Sequence, residues 1–302
     1  MRFSIYQSSR QGGRLNNEDR MAYSYSRDAL IMIIADGMGG HAHGEIAAQV
    51  AVKSIAEAFQ RHAHPKLRNP SGFLYGALQQ AHKAINECVD KQNLPSPPHT
   101  TCVACVIQDD TAWWAHVGDS RLYLFSDNAL VTRTRDHSAI QLMLDEHLIS
   151  ESEINTHPDR NKIYSSLGGS ITPEITISRP MPLMPQDRIL MCTDGLWTQV
   201  TDEQIATTLF RLPPDNAVEF LLNHAERSAG PTGDNLSAIA MVWESQDETD
   251  ENAITTVAMS NTTFTTQLGN YMPGAADLDE DEVERVISEI QRTIKKLSET
   301  KP

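Results

Sequence analysis

Cysteine is scarce: four in 302 residues, too few for a disulfide scaffold, so reduced thiols and a cytoplasmic setting are expected. No apolar run approaches the roughly 20 residues that a membrane helix needs. The longest, residues 29–35, has seven. The opening Met1-Arg2-Phe3-Ser4 lacks the apolar stretch of a secretory signal. Positive charge is also short. Against 40 Asp and Glu stand 25 Lys and Arg, a net charge of −15, and no basic cluster stands out. That balance argues against binding a nucleic-acid backbone or an anionic membrane surface. No repeat of fixed period is present. What remains, 40% hydrophobic and 22% charged, is ordinary globular material, long enough for one large core or two small ones.

The acidity is uneven, with 12 acids and 5 bases in residues 246–302. Three segments are expected: a folded domain over 1–245, a flexible Thr-, Ser- and acid-rich linker over 246–276, and an acidic amphipathic helix over 277–302. The helix would open on Asp277-Leu278-Asp279-Glu280-Asp281-Glu282, favourable to the helix dipole, with Lys295 and Lys296 near its end. Val283, Ile287, Ile290, Ile294 and Leu297 form an apolar seam of two heptads, short of the three or four that support a coiled coil. Docking on a partner protein, on a second copy or on its own domain is expected. The plainer reading is a solvated helix, weakly stable alone.

Within the folded domain, residues 30–35, 101–107, 112–117, 122–125, 188–192 and 237–243 read as strands bounded by Gly, Asp or Asn. Residues 44–62 carry a helical stripe of Ile46, Ala47, Val50, Ile55, Ala58 and Phe59; Leu74, Leu78, Ala81 and Ile85 begin a second. Short strands around a helical pair point to α+β layers rather than alternating βαβ units.

A local design recurs. A strand runs into Asp and then Gly at Ala35-Asp36-Gly37 and at Thr193-Asp194-Gly195, and Gly118-Asp119 and Gly233-Asp234 set two more aspartates at strand edges. If these rims converge, several carboxylates meet in one cleft, where repulsion must be relieved by protons or cations. An oxygen-only donor set selects hard ions such as Mg²⁺ or Mn²⁺. Taken singly, each Asp-Gly is equally a common turn.

Six motifs stand in order: Arg14-Leu15-Asn16-Asn17-Glu18-Asp19, Asp36-Gly37-Met38-Gly39-Gly40-His41, Gly118-Asp119-Ser120-Arg121, Asp136-His137-Ser138, Thr193-Asp194-Gly195 and Gly233-Asp234-Asn235. The set resembles that of the metal-dependent protein serine/threonine phosphatases of type 2C, in their compact bacterial form, over roughly residues 1–243. The resemblance implies a four-layer α-β-β-α sandwich with two central antiparallel sheets. It implies that Asp36 bridges two catalytic Mn²⁺ or Mg²⁺ ions, that the Gly37 carbonyl is a further ligand, and that Asp194 and Asp234 complete the site. It places Asp19 as an outer acid, Asp119 at a third, weaker ion and Arg14 on the phosphate. The reaction implied is hydrolysis of phosphoserine and phosphothreonine in proteins by a metal-activated water, reversing a bacterial Ser/Thr kinase, with that kinase and its substrates as the phosphorylated partners. An arginine fork suits bidentate contact with phosphate. Two alternatives are a regulatory binding module with little turnover and a phosphatase of small metabolites.

Some signals lead elsewhere. Met38 stands where some members carry a histidine, and neither His41 nor His43 is assigned as general acid. The Gly-rich run 37–44 lacks a nucleotide-binding fingerprint. Cys102 and Cys105 lie three apart on a strand, so they face opposite sides and suit a core better than zinc. Trp113 and Trp114 are likewise expected on opposite faces. The polar segment 138–168 resembles the family's mobile flap and reads equally well as a surface insertion with a short helix over 140–148.

Overall fold

The apolar run of residues 29–35 has no polar face, which suits a strand covered on both sides. In the computed structural model, which describes residues 1–38, 43–92, 97–150, 153, 157–244 and 253–269, this run forms most of strand β3 (Ala29–Met38). Its side chains alternate between two cores. Leu30, Met32 and Ile34 point between two sheets, while Ile31, Ile33 and Ala35 point towards helices. Each fully buried Leu or Ile contributes about 1.5–3 kcal/mol, so one strand anchors two layers.

β3 lies at the centre of the first sheet, between β2 (Asp19–Tyr25) and β5 (Cys102–Gln108). The sheet continues through β6 (Thr111–Val117) to β10 (Met181–Pro182), and ends beyond β2 at β14 (Thr265–Leu268). Two short strands, β4 (His99–Thr100) and β9 (Thr176–Ile177), pair with β3 and β6. The second sheet runs in the order β13 (Ile254–Thr255), β1 (Arg2–Arg10), β12 (Leu236–Trp243), β11 (Arg188–Cys192), β7 (Arg121–Ser126) and β8 (Ala129–Arg133). Neighbours in both sheets are antiparallel. Helices α1 (Gly44–His62) and α2 (Pro70–Gln92) cover the first sheet. A short α3 (Ala139–Asp145) opens the segment resembling a flap. Helices α4 (Asp194–Trp197), α5 (Asp202–Arg211) and α6 (Pro214–Ala229) cover the second sheet. The expected four-layer α-β-β-α sandwich is borne out.

Five of the six expected strands lie within these elements, the sixth, 101–107, starts one residue before β5, and α1 has the expected bounds. Trp114 is in the core between the sheets while Trp113 packs against the helical side. Cys102 and Cys105 divide in the same way, and all four cysteines are free and buried. The sequence reading missed β1, β2, α5 and α6. The start of α5 is marked by a capping box, in which Gln204 N donates to Thr201 Oγ1 (3.2 Å) and Thr201 N to Gln204 Oε1 (2.9 Å). No helix among the described residues is long and apolar enough to cross a membrane.

The stretch expected to be a linker, 246–276, differs from that expectation over residues 253–269. There β13 pairs with β1 and β14 with β2, so the stretch supplies an edge strand to each sheet. Thr256 is buried, its Oγ1 donating to Arg27 O (2.6 Å) and accepting from the amino terminus (2.9 Å). Phe264 packs edge-on against Phe59, with centroids 6.3 Å apart. Polar composition concealed this role because an edge strand pairs on one side only, and Thr-rich sequence is good strand material. The segment 277–302, read as an amphipathic helix, lies outside the described residues. Truncation after residue 245 is expected to cost about 2–4 kcal/mol relative to truncation after 269, from lost Phe264 burial and edge hydrogen bonds. Denaturant unfolding of the two truncations checks this.

Candidate active site

The aspartates reach one rim because neighbouring strands end together. In the β2–β3 register Asp19 stands opposite Asp36. The Asp36 carbonyl accepts from Thr101 N (2.9 Å) and Thr100 Oγ1 (2.8 Å), which fixes the end of β3. Gly37 is required there by close approach: a Cβ would lie 2.3 Å from the Gly44 backbone, so the first turn of α1 is set against the strand end. Asp194 opens α4 directly after β11. The preceding Thr193 donates from Oγ1 to Asp19 Oδ2 (2.9 Å) and accepts from Ser237 N (3.1 Å), joining the rims of the two sheets.

Asp234 lies just before β12, and its Oδ2 pairs with Arg14 Nη2 at 2.7 Å. Arg14 sits on the loop between β1 and β2, with its side chain 57% exposed. The loop is held by Asn235, whose Nδ2 donates to Gln11 O (2.7 Å) and Asn16 O (2.9 Å) and whose Oδ1 accepts from Glu18 N (2.8 Å). Asp119 is buried in the turn after β6, and its carbonyl accepts from Trp197 Nε1 (3.0 Å). Arg121, of the same motif, stays away from the cleft. It grips Asp136 with two hydrogen bonds (2.9 and 2.8 Å) and lies 3.5 Å over the Trp197 ring. It is thus a buried strut that ties Asp136 to α4. Next to Asp136, His137 Nδ1 accepts from Gly118 N (3.3 Å), and Ser138 caps α3.

This crowding of acids shows in their titration. Burial, reinforced by the neighbouring carboxylates, pushes Asp36 and Asp119 well above the ordinary carboxylate range. Asp19 rises to about 7, chiefly from burial. Asp194 rises to about 6 from burial and Asp234, and a hydrogen bond with Asp36 moderates the rise. Glu18 reaches about 7, from burial and then Glu45. Asp19 Oδ1 and Glu45 Oε2 are buried without a hydrogen-bond partner. Among the described residues, no three acidic, histidine or cysteine side chains form a ready-made ion-binding group. The donor set nevertheless fits hard divalent cations: it is all oxygen, strongly anionic and includes an orphaned buried carboxylate oxygen, Asp19 Oδ1.

The sequence-predicted residues Asp19, Asp36, Gly37, Asp119, Asp194, Asp234 and Arg14 therefore all lie along one edge of the sandwich. Gly39, Gly40 and His41 lie outside the described residues. His43 has its Nδ1 3.9 Å from Glu45 Oε1. The sequence reading assigned no role to Thr193, Asn235 or Glu18, although each adjoins an assigned aspartate. That adjacency was the signal available.

Fold and site define a two-sheet sandwich protein with a cation-attracting carboxylate cleft. Comparison with known proteins narrows this class. The family model described as protein phosphatase 2C matches residues 7–229, and the chain belongs to that family. The serine/threonine protein phosphatase PstP of Mycobacterium tuberculosis is 33% identical over 231 residues, 75% of this chain and 42% of that protein. The chain thus spans less than half of that relative's length. The serine/threonine phosphatase stp of Listeria monocytogenes is 30% identical over 200 residues, 65% of this chain and 78% of that protein. Among solved structures, PstP of M. tuberculosis matches with TM-score 0.70 and 30% identity, over 81% of this chain and 100% of the other. The PstP catalytic domain in complex with two manganese ions matches with TM-score 0.69 and 28% identity, over 81% and 99% of the two chains.

Two outcomes are expected. Asn235→Ala removes three hydrogen bonds from the Arg14 loop, so it should cost about 2–3 kcal/mol and raise hydrogen exchange in residues 11–18. Thermal unfolding and exchange mass spectrometry measure both. Burial, together with the adjacent His116 ring, lowers His137 from an ordinary 6.5 to about 4, so the fold favours the neutral ring. Its contribution is complete above pH 6.5 and is lost as the pH falls through 4. His137→Gln should flatten that acid limb in urea titrations at stepped pH.

Proposed function

We propose that this chain hydrolyses phosphoserine and phosphothreonine in proteins with two divalent cations, Mn²⁺ or Mg²⁺. The observation that carries the proposal is the convergence of Asp19, Asp36, Asp119, Asp194 and Asp234 on one rim beside the exposed guanidinium of Arg14. Asp36, the Gly37 carbonyl, Asp194 and Asp234 would hold the two ions, with Asp19 close by and Asp119 at a third, weaker position. Bound there, the ions supply positive charge for the phosphoryl group and lower the pKa of water.

The chain's own groups do the rest. Arg14, tethered at 2.7 Å to Asp234, offers planar donors that can exchange the carboxylate for phosphoryl oxygens. The Asn235 hydrogen bonds position the Arg14 loop, and the Gly37–Gly44 contact sets the start of α1 against the end of β3. A cysteine nucleophile is disfavoured, because burial raises the thiols of Cys102, Cys105 and Cys192 and keeps them protonated. Direct hydrolysis without a phosphoenzyme fits this set. The substrates are proposed to be targets of a Ser/Thr kinase, by analogy with relatives named serine/threonine phosphatases. A cytoplasmic setting accords with four free, buried cysteines.

The test is hydrolysis of a phosphothreonine peptide with Mn²⁺, with excess chelator, and with Asp36→Asn and Asp194→Asn. Turnover should require the metal and fall at least about 10³-fold in either variant. Wild type should also gain about 2.7 kcal/mol of stability at 100 times the Mn²⁺ dissociation constant, and the variants should gain little. Wild-type turnover undiminished by chelator, or variants that keep both activity and Mn²⁺ stabilisation, would sink the assignment.

A further inference from the structure

The sequence reading that found no basic cluster overlooked a local exception. Residues 61–68 hold Arg61, His62, His64, Lys66 and Arg68 without a single acid, in a chain of net charge −15. They join α1 to α2, and the fold wraps them around a cavity of about 690 Å³. The five basic side chains line it, with Phe73 supplying an apolar wall. The N-terminus of α2 faces the same cavity, where Gly72 N donates to the Asn69 side chain at 3.1 Å, so the helix dipole adds positive potential. The acids opposing this charge are few: half-buried Glu57, 3.5 Å from Arg61, and exposed Asp109, 2.7 Å from Lys66. Arg68 has no ion-pair partner among the described residues. Gly76 also lines the cavity from the interior of α2, and a Cβ there would meet nothing within 4 Å. Glycine at such a position costs about 1 kcal/mol against alanine, and no contact within the domain calls for it.

The path of the chain identifies an occupant. Phe264 sits at the cavity rim, its ring 5.1 Å from that of His64, and Gln60 Nε2 donates to Thr266 Oγ1 (2.6 Å). From there β14 runs along β2 to Gly269, whose N donates to Met21 O (2.9 Å). Five residues of strand carry the chain about 17 Å from the rim. Eight residues beyond Gly269 begins the segment 277–284, which holds six acids and no base. An extended eight-residue span reaches about 26 Å, enough to return to the cavity. A tether of this length holds the segment at an effective concentration of order millimolar.

We propose that the acidic segment 277–284 docks in this basic cavity of its own chain, its carboxylates facing Arg61, Lys66 and Arg68. The cavity lies at the far end of α1 from the carboxylate cleft, about 28 Å away at 1.5 Å per residue. Docking there holds six carboxylates away from the cations and from Arg14. It also sets the starting point of the apolar seam from Val283 to Leu297.

The test is zero-length carbodiimide crosslinking of the full chain, read by mass spectrometry. The Lys66–Asp109 pair is an internal control for an α1–α2 connection that stays seated on the turn between β5 and β6. Lys66 should also crosslink to acids of 277–284 within monomeric protein. That product should fall about tenfold in R61E/R68E while the control persists. Hydrogen exchange over residues 61–76 is an independent arm. It should rise several-fold when the six acids are replaced by Asn and Gln. Lys66 linked to Asp109 alone, tail crosslinks confined to covalent dimers, tail crosslinks unchanged in R61E/R68E, or exchange unaltered by neutralising the tail would each overturn the proposal.

Discussion

Carboxylates gathered at one rim and mostly removed from water are the constraint on which the rest of this structure depends. Four of the aspartates are raised by burial and by one another, an arrangement that is unfavourable unless something holds the backbone against it. What holds it is a set of short contacts with little freedom. Thr193 bridges to Asp19, Thr100 and Thr101 pin the carbonyl of Asp36, and Asn235 ties the Arg14 loop to the start of β12. None of these groups needs to touch a substrate. They keep like charges together until cations or protons compensate them.

That positioning depends in turn on the two sheets. β3 contributes to the core between the sheets with one face and to the helical core with the other, so its end cannot move without disturbing both. The second sheet delivers Asp194 just past the end of β11 and Asp234 just before the start of β12, two neighbouring antiparallel strands. Arg121, buried between Asp136 and Trp197, braces the outer side of this sheet against α4. The late strands β13 and β14 close one edge of each sheet, so residues 253–269 belong physically to the sandwich.

Legibility followed the type of residue. The apolar strands could be read because residues 30–35 and 237–243 carry enough hydrophobic side chains to exclude a loop. The α1 stripe could be read because its period is unbroken over 19 residues. The polar strands β13 and β14 and the helix α6 were missed, since half-covered elements dilute the pattern with Thr, Asn and Glu. The aspartates were legible as an ordered set of motifs, whereas their supports were not. Nothing local marks Thr193 or Asn235 as hydrogen-bonding across the rim, because their partners lie far away in sequence: 174 residues for Thr193 to Asp19, and 217 to 224 residues for Asn235.

By itself the amino-acid sequence determined the α+β class and the chemistry that its strand-end aspartates admit, because alternating apolar runs demand covered sheets and oxygen donors select hard cations. The four-layer sandwich and Asp19 as a member of the acid set came through the resemblance of the six ordered motifs to a known family. Only the tertiary structure decided which acids meet, how strongly burial perturbs them, that residues 253–269 join the sandwich, and that the basic residues at and beyond the end of α1 line a single cavity. Each of these depends on contacts between segments tens to hundreds of residues apart. Such contacts arise from packing and solvent exclusion, and no local pattern encodes them.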